Sequence, residues 1–178
     1  MSQVIRQVTL QDLHPYHELI VSAYQADAAL GVHFAAEHAD EKMIIHHLLS
    51  NPAYVLEADG RLVTTLSLRF PWGNNPGPFG VPHLGWFATH PDFKQQGKGR
   101  ELFEWVEQHV LTAQLRLPAV SLGTAKNHPW LIAMYKKMGF QEIKETDLGT
   151  GHITVYLIKV LNRELFDAWA SKHAKELK

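Results

Sequence analysis

The chain has 178 residues, 46% of them hydrophobic and 20% charged, with a formal net charge of −1 and no cysteine. This is the make-up of a soluble globular domain long enough to bury roughly two-thirds or more of its unfolded surface. It excludes a disulfide framework and a thiol nucleophile, and it offers no electrostatic footprint for nucleic acid or an anionic membrane. Residues 1–10 lack the apolar core of a secretory leader and no stretch approaches a membrane span, so the cytoplasm is the expected compartment.

In chain order, Val4 to Val8 predicts a short strand, and Asp12 opens a helix with apolar positions at Leu13, Tyr16, Leu19, Ile20, Ala23 and Tyr24. Gly31 breaks it, and a loop from His33 to Asp40 leads to a second helix bearing Met43, Ile44, Leu48 and Leu49, which Asn51-Pro52 ends. Ala53 to Ala58 and Arg61 to Phe70 read as strands joined by Asp59-Gly60, a strong hairpin signal. Pro71 to Pro82 holds four prolines and three glycines around Trp72 and Phe79, a loop long enough to be functional. Leu84 to Thr89 predicts a strand, Glu101 to about Leu115 a helix, and Pro118 to Gly123 a strand. Pro129 suits the first turn of a further helix, which Gly139 and Phe140 end in a Schellman-type turn with Phe140 packed back on Tyr135. Phe140 to Asp147 and Ile153 to Val160 are two last strands across Gly149-Thr150-Gly151. The tail from Asn162 to Lys178 places Leu165, Phe166, Trp169 and Ala170 at helical spacing, suited to capping a sheet or, less readily, to a dimer contact. The order βααβββαβαββ mixes hairpins with crossover helices and predicts a mixed sheet, α/β or, by some conventions, α+β.

The segment carrying most chemistry is His90-Pro91-Asp92-Phe93-Lys94-Gln95-Gln96-Gly97-Lys98-Gly99-Arg100-Glu101-Leu102. A strand feeding a glycine-bearing loop and then a helix start is an anion site, because the first N–H groups of the helix have no intrahelical partner and the dipole adds positive charge. Gly97 and Gly99 let a phosphate approach the backbone, and Lys94, Lys98 and Arg100 add cations around the same turn. The ligand this predicts is a polyanion such as a pyrophosphate. No hydroxyl follows Lys98 as a P-loop requires, and Leu102 stands where a Rossmann fingerprint needs a small residue. A plain solvated helix start is the competing reading of the loop taken alone.

Lys94-x-x-Gly97-x-Gly99 after a strand ending in His90-Pro91 resembles the acetyl-CoA signature of the GNAT acetyltransferase superfamily, with Lys94 where that family usually has Arg or Gln. A second element, Asn127-His128-Pro129-Trp130-Leu131-Ile132-Ala133-Met134-Tyr135-Lys136-Lys137-Met138-Gly139-Phe140, resembles the family's fourth helix and its exit into the next strand. Asn127 lies one residue further from Tyr135 than the family spacing, so Asn127 or His128 takes the Asn slot. The element order is also that of the GNAT fold. The resemblance implies a central, mostly antiparallel mixed sheet of about seven strands, in a single N-acetyltransferase domain over 1–178 (core about 1–160, with 162–178 a C-terminal helical extension).

The resemblance further implies acetyl-CoA as co-substrate, no metal, and direct attack by a primary amine in a ternary complex, where positioning supplies much of the rate. The amine belongs to a small molecule or to a peptide or protein, and the chain works as a monomer or homodimer. Lys94, Gln95, Gln96, Gly97, Lys98, Gly99 and Arg100 would hold the pyrophosphate, with Asn127, His128 and Tyr135 also on the cofactor. Backbone groups of Phe87, Ala88 and Thr89 would meet the thioester.

Tyr135 would be the general acid for the leaving thiolate, since a tyrosine ordinarily titrates near 10. Read from spacing alone, it belongs to an apolar face with Leu131, Met134 and Met138. His83, on the strand leading to the cofactor, is the first candidate base, with His128 and Glu57 behind it; one histidine among twelve is otherwise unremarkable. If His83 is the base, kcat/KM should rise through an ionisation near 6.5, or at the value to which burial moves it. His33, His38, His46 and His47 show no metal-ligand spacing. Trp72, Phe79, Trp86 and Phe87 read first as core, although Trp72 and Phe79 in the long loop also suit an apolar or aromatic amine. The rival function is an acyl-CoA-binding module that has lost turnover.

Overall fold

The computed structural model describes residues 2–175 and 177–178. The elements are β1 (Gln3–Gln7), α1 (Leu13–Ala28), α2 (Glu41–Ser50), β2 (Ala53–Ala58), β3 (Arg61–Arg69), β4 (His83–Thr89), α3 (Lys98–Val106), β5 (Ala119–Ala125), α4 (Pro129–Lys137), β6 (Gln141–Asp147), β7 (Ile153–Val160) and α5 (Arg163–His173). The strands run β1-β2-β3-β4-β5-β7-β6 in one seven-stranded sheet. It is mixed, because β4 pairs with β5 in parallel whereas the β1–β2, β2–β3, β5–β7 and β6–β7 pairs are antiparallel. The expected GNAT topology is therefore the observed one.

Local chemistry accounts for most boundaries. Asp59 and Gly60 both take positive φ (49° and 78°), the two-residue turn that joins antiparallel strands without splaying them. The Asp40 side chain accepts from Met43 N–H at 2.8 Å and starts α2. At the end of α4, Phe140 N–H donates to Tyr135 O (3.1 Å) and Gly139 N–H to Lys136 O (3.0 Å). With Gly139 at φ 98°, this is the Schellman ending expected from the sequence. One expected helix differs in two ways. It begins at Lys98, three residues before Glu101, and after Val106 it continues as a π-helical stretch over Glu107–Gln114.

Two compact units divide the chain, one up to Leu68 with Gly85–Val106, the other of Arg69–Leu84 with the chain from Glu107 onward. In the first, Tyr16, Leu19, Ile20 and Ala23 of α1 pack with Ile44 of α2 and with Ala53 and Val55 of β2, all almost fully buried. In the second, Phe79 and Val81 of the long loop pack with Ala119 of β5 and with Tyr156 and Ile158 of β7. Phe166 and Trp169 of α5 join that cluster, so the tail helix caps sheet residues.

Candidate active site

The anion loop lies in the first unit. Pro91–Phe93 form a single 3-10 turn whose cap, His90, accepts from Asp92 N–H through Nδ1 at 3.2 Å. Beyond it, Gln95 (φ 62°) and Gly97 (φ 73°) are both left-handed, a conformation found in concave turns that direct successive N–H groups at an anion. Glu101 N–H closes the first helical turn on Gly97 O at 3.0 Å. The N–H groups of Lys98, Gly99 and Arg100 therefore precede the first intrahelical bond and carry the positive end of the dipole. A Cβ on Gly97 would meet nothing within 4 Å, whereas one on Gly99 would lie 3.3 Å from Thr89 Oγ1 and 3.5 Å from Phe87 Cζ. Gly99 is thus held small by the end of β4.

The loop cations are already paired. Lys94 Nζ lies 3.0 Å from Asp27 Oδ1, Lys98 Nζ 3.2 Å from Glu101 Oε2, and Arg100 Nε 2.7 Å from Glu104 Oε1. The Arg100–Glu104 pair is exposed on both sides and screened by solvent, whereas Lys94–Asp27 and Lys98–Glu101 are part-buried. Lys94 is tied to α1 from a distance in sequence, a link that motif spacing does not show.

Phe87, Ala88 and Thr89 end β4. Ala88 O accepts from Thr64 Oγ1 at 3.0 Å, and the Thr64 and Thr89 hydroxyls lie 2.9 Å apart. Just before them Trp86 has φ 44°, a break in the extended backbone like that of a bulge, and its ring stacks on His47 with centroids 3.7 Å apart. Apolar patterning does not mark this kink; Gly85, a glycine inside a strand, is its local signal.

In the second unit, Tyr135 on α4 is 7% exposed and meets Phe140 edge-on at 5.9 Å. His128 caps α4 and is buried, with its ring 4.1 Å from that of Trp130, while Asn127 is exposed. The two residues that shared one family slot thus have opposite environments. Phe79 is buried edge-on against Tyr156, and Trp72 is exposed, stacked on Phe70. The two aromatics of the long loop therefore part company.

His83 opens β4 in register with Ser121 of β5, and its Nδ1 lies 2.8 Å from Ser121 Oγ. Ser121 Oγ also reaches Pro82 O at 3.4 Å. When the hydroxyl proton goes to that carbonyl, Nδ1 donates and Nε2 keeps the lone pair. Burial, with a smaller contribution from the nearby Arg69 charge, pulls the His83 pKa from 6.5 down to about 3. The ring is neutral throughout the working range, so a rate limb near 6.5 is not expected from it. Glu57 is occupied otherwise: its Oε2 accepts from Arg6 Nε at 3.0 Å and Nη2 at 2.9 Å. Among the described residues there is no group of three or more His, Asp or Glu able to hold a metal, and His33 and His38 both face the carboxylate of Glu37.

The depressed His83 pKa has a stability consequence. Unfolded, the ring titrates near 6.5; folded, it stays neutral down to about 3, so between these values the unfolded chain binds a proton that the native one does not. Stability therefore falls as pH drops below about 6.5, by about 1.4 kcal/mol per pH unit for this one group. His83→Asn should unfold in urea with a smaller loss between pH 7.5 and 5.0 than the parent, by about 2 kcal/mol. Equal losses would show that some other group senses the acid.

Comparison with known proteins bears on both motifs at once. The chain matches the acetyltransferase (GNAT) family model over residues 14–140. It is 47% identical over 155 residues to the S-(2-succino)cysteine N-acetyltransferase of Bacillus subtilis, covering 87% of this chain and 94% of that one. It is 38% identical over 165 residues to the S-alkylcysteine N-acetyltransferase of the same organism, covering 92% of each. Among solved structures, the PaiA N-acetyltransferase of Thermoplasma acidophilum in complex with coenzyme A superposes with a TM-score of 0.68 at 16% identity, covering 90% of this chain and 99% of the other.

Proposed function

Because this chain belongs to the GNAT acetyltransferase family and is an N-acetyltransferase that draws its acetyl group from acetyl-CoA, we propose that its acceptor is the α-amine of a cysteine substituted on sulfur. The observation that carries this reading is that two relatives matched along nearly their whole length both acetylate S-substituted cysteines, although they differ from one another in the substituent. Neither relative supports the rival reading of a binding module without turnover. The protein acts as a single domain over residues 1–178, in the cytoplasm where acetyl-CoA is supplied.

In the proposed reaction the neutral amine attacks the thioester carbonyl, the N–C bond forms, and the C–S bond breaks. The amine gives up one proton to solvent, and the departing thiolate takes one from the Tyr135 hydroxyl, which solvent then reprotonates. The pyrophosphate rests on the turn from Lys94 to Arg100, supported by the positive φ values at Gln95 and Gly97 and by the helix start at Lys98. The strand end Phe87–Thr89 offers backbone groups to the thioester beside the break at Trp86. His83 acts as a neutral hydrogen-bond acceptor for the amine, and solvent carries the proton away. The acid limb of kcat/KM then follows the acceptor's own pKa and survives in His83→Ala.

Thiol release from acetyl-CoA should be measured with S-alkylcysteines, S-(2-succino)cysteine, polyamines and peptide N-termini, with N-acetyl products identified by mass. The S-substituted cysteines should exceed the other acceptors in kcat/KM by about tenfold or more. Preferential turnover of a polyamine or a peptide would overturn the acceptor assignment.

A further inference from the structure

Arg69 ends β3, where the long loop begins, and its side chain is half-buried. Among the described residues the other partly buried cations sit against carboxylates: Arg6 on Asp12 and Glu57, Lys94 on Asp27, Lys98 on Glu101, and Lys159 on Glu107. Arg69 has no carboxylate at ion-pair distance among the described residues. Its guanidinium donates only to neutral oxygens, from Nε to Asn75 O (3.0 Å) and from Nη2 to Asn75 Oδ1 (3.3 Å) and Pro76 O (2.8 Å). Both Nη1 protons are left without an acceptor among the described residues, on a charge whose burial lowers its pKa. The three loop bonds fix the plane of the fork and leave Nη1 as the edge open to an arriving anion.

The neighbours define what would discharge it. Tyr156 and His83 are both close enough to couple electrostatically with Arg69, and both are buried. His83 is neutral there, so Arg69 carries the one positive charge of this group of three side chains. A Cβ on Gly77, in the same loop, would fall 2.4 Å from His83 Cβ, which places that loop directly against the histidine. A single fixed cation beside a neutral imidazole matches an α-amino acid: carboxylate on the guanidinium, amine toward the ring.

We propose that Arg69 is a specificity residue that binds the α-carboxylate of the acceptor through Nη1. This rests on the acceptor class proposed above. A charge-assisted pair with Arg is geometrically demanding, so lysine is a poor substitute. The bland alternative is that Arg69 merely clamps the loop at Asn75 and Pro76. The two differ in one observable, since a clamp serves every acceptor and an anchor serves only those with a carboxylate.

The test uses the full chain with an S-alkylcysteine and its decarboxylated counterpart, the matching S-alkylcysteamine, assayed by CoA release. Wild type should favour the carboxylate acceptor in kcat/KM by about tenfold or more. Arg69→Gln should raise KM for the S-alkylcysteine by about tenfold and leave the S-alkylcysteamine within about twofold of wild type; Arg69→Lys should restore the preference only in part. Equal losses on both acceptors in Arg69→Gln would overturn the anchor in favour of the clamp. Should Arg69→Gln fail to fold, the wild-type preference decides: a ratio near one also overturns the proposal. Failure of the acceptor class looks different, because wild type then turns over neither compound while acetylating another amine.

Discussion

Tyr135→Phe is expected to lower kcat by on the order of 10²–10⁴-fold and to leave acetyl-CoA affinity within about twofold of wild type. The substitution removes one oxygen and retains the ring that meets Phe140 edge-on at 5.9 Å. The Schellman bonds at the end of α4 are backbone bonds and do not involve that oxygen. With the fold of the variant checked by circular dichroism, a fall in rate reports lost proton donation to the thiolate. Single-turnover measurement is needed, so that chemistry and product release are separated. A single-turnover rate within about twofold of wild type would make Tyr135 a packing residue and nothing more.

Replacing Gly97 and Gly99 together by Val should weaken CoA binding by more than about tenfold in titration calorimetry. The two positions fail for different reasons. Gly97 has φ 73°, which a β-branched residue resists, so the concave turn itself would open. Gly99 has an ordinary φ but only 3.3 Å from its Cβ position to Thr89 Oγ1, so added methyls press on the end of β4 and crowd the helix start. Gly97 is exposed, and the double variant should remain folded. Unchanged affinity in a folded variant would remove the phosphate from this loop.

What could be read without the structure were features with local causes. The hairpin at Asp59-Gly60 follows from two residues that tolerate positive φ, and the stop at Gly139 from a glycine that satisfies the last carbonyls of α4. The anion loop likewise combines a strand end, two glycines and a helix start within a dozen residues. Strands β2 and β7 lie over the predicted residues, because each is a run of apolar and β-branched residues bounded by clear breakers.

The site's electrostatics were set by partners far away in the chain. His83 reads as a base from its type alone; the packing of Ser121, Tyr156 and the Gly77 loop around it holds the ring neutral. Glu57 was a plausible base until the fold brought Arg6 onto it. Lys94 reads as a phosphate cation, yet its partner, Asp27, comes from α1. The sequence by itself determined the order of elements, the turns and the glycine-bearing loop before α3, because those depend on backbone preferences and periodicity over a few residues. Which ionisable groups are charged, paired or desolvated was decided only by the tertiary structure, because the free energy of a charge depends on the water removed from it and on neighbours that the chain supplies from anywhere along its length.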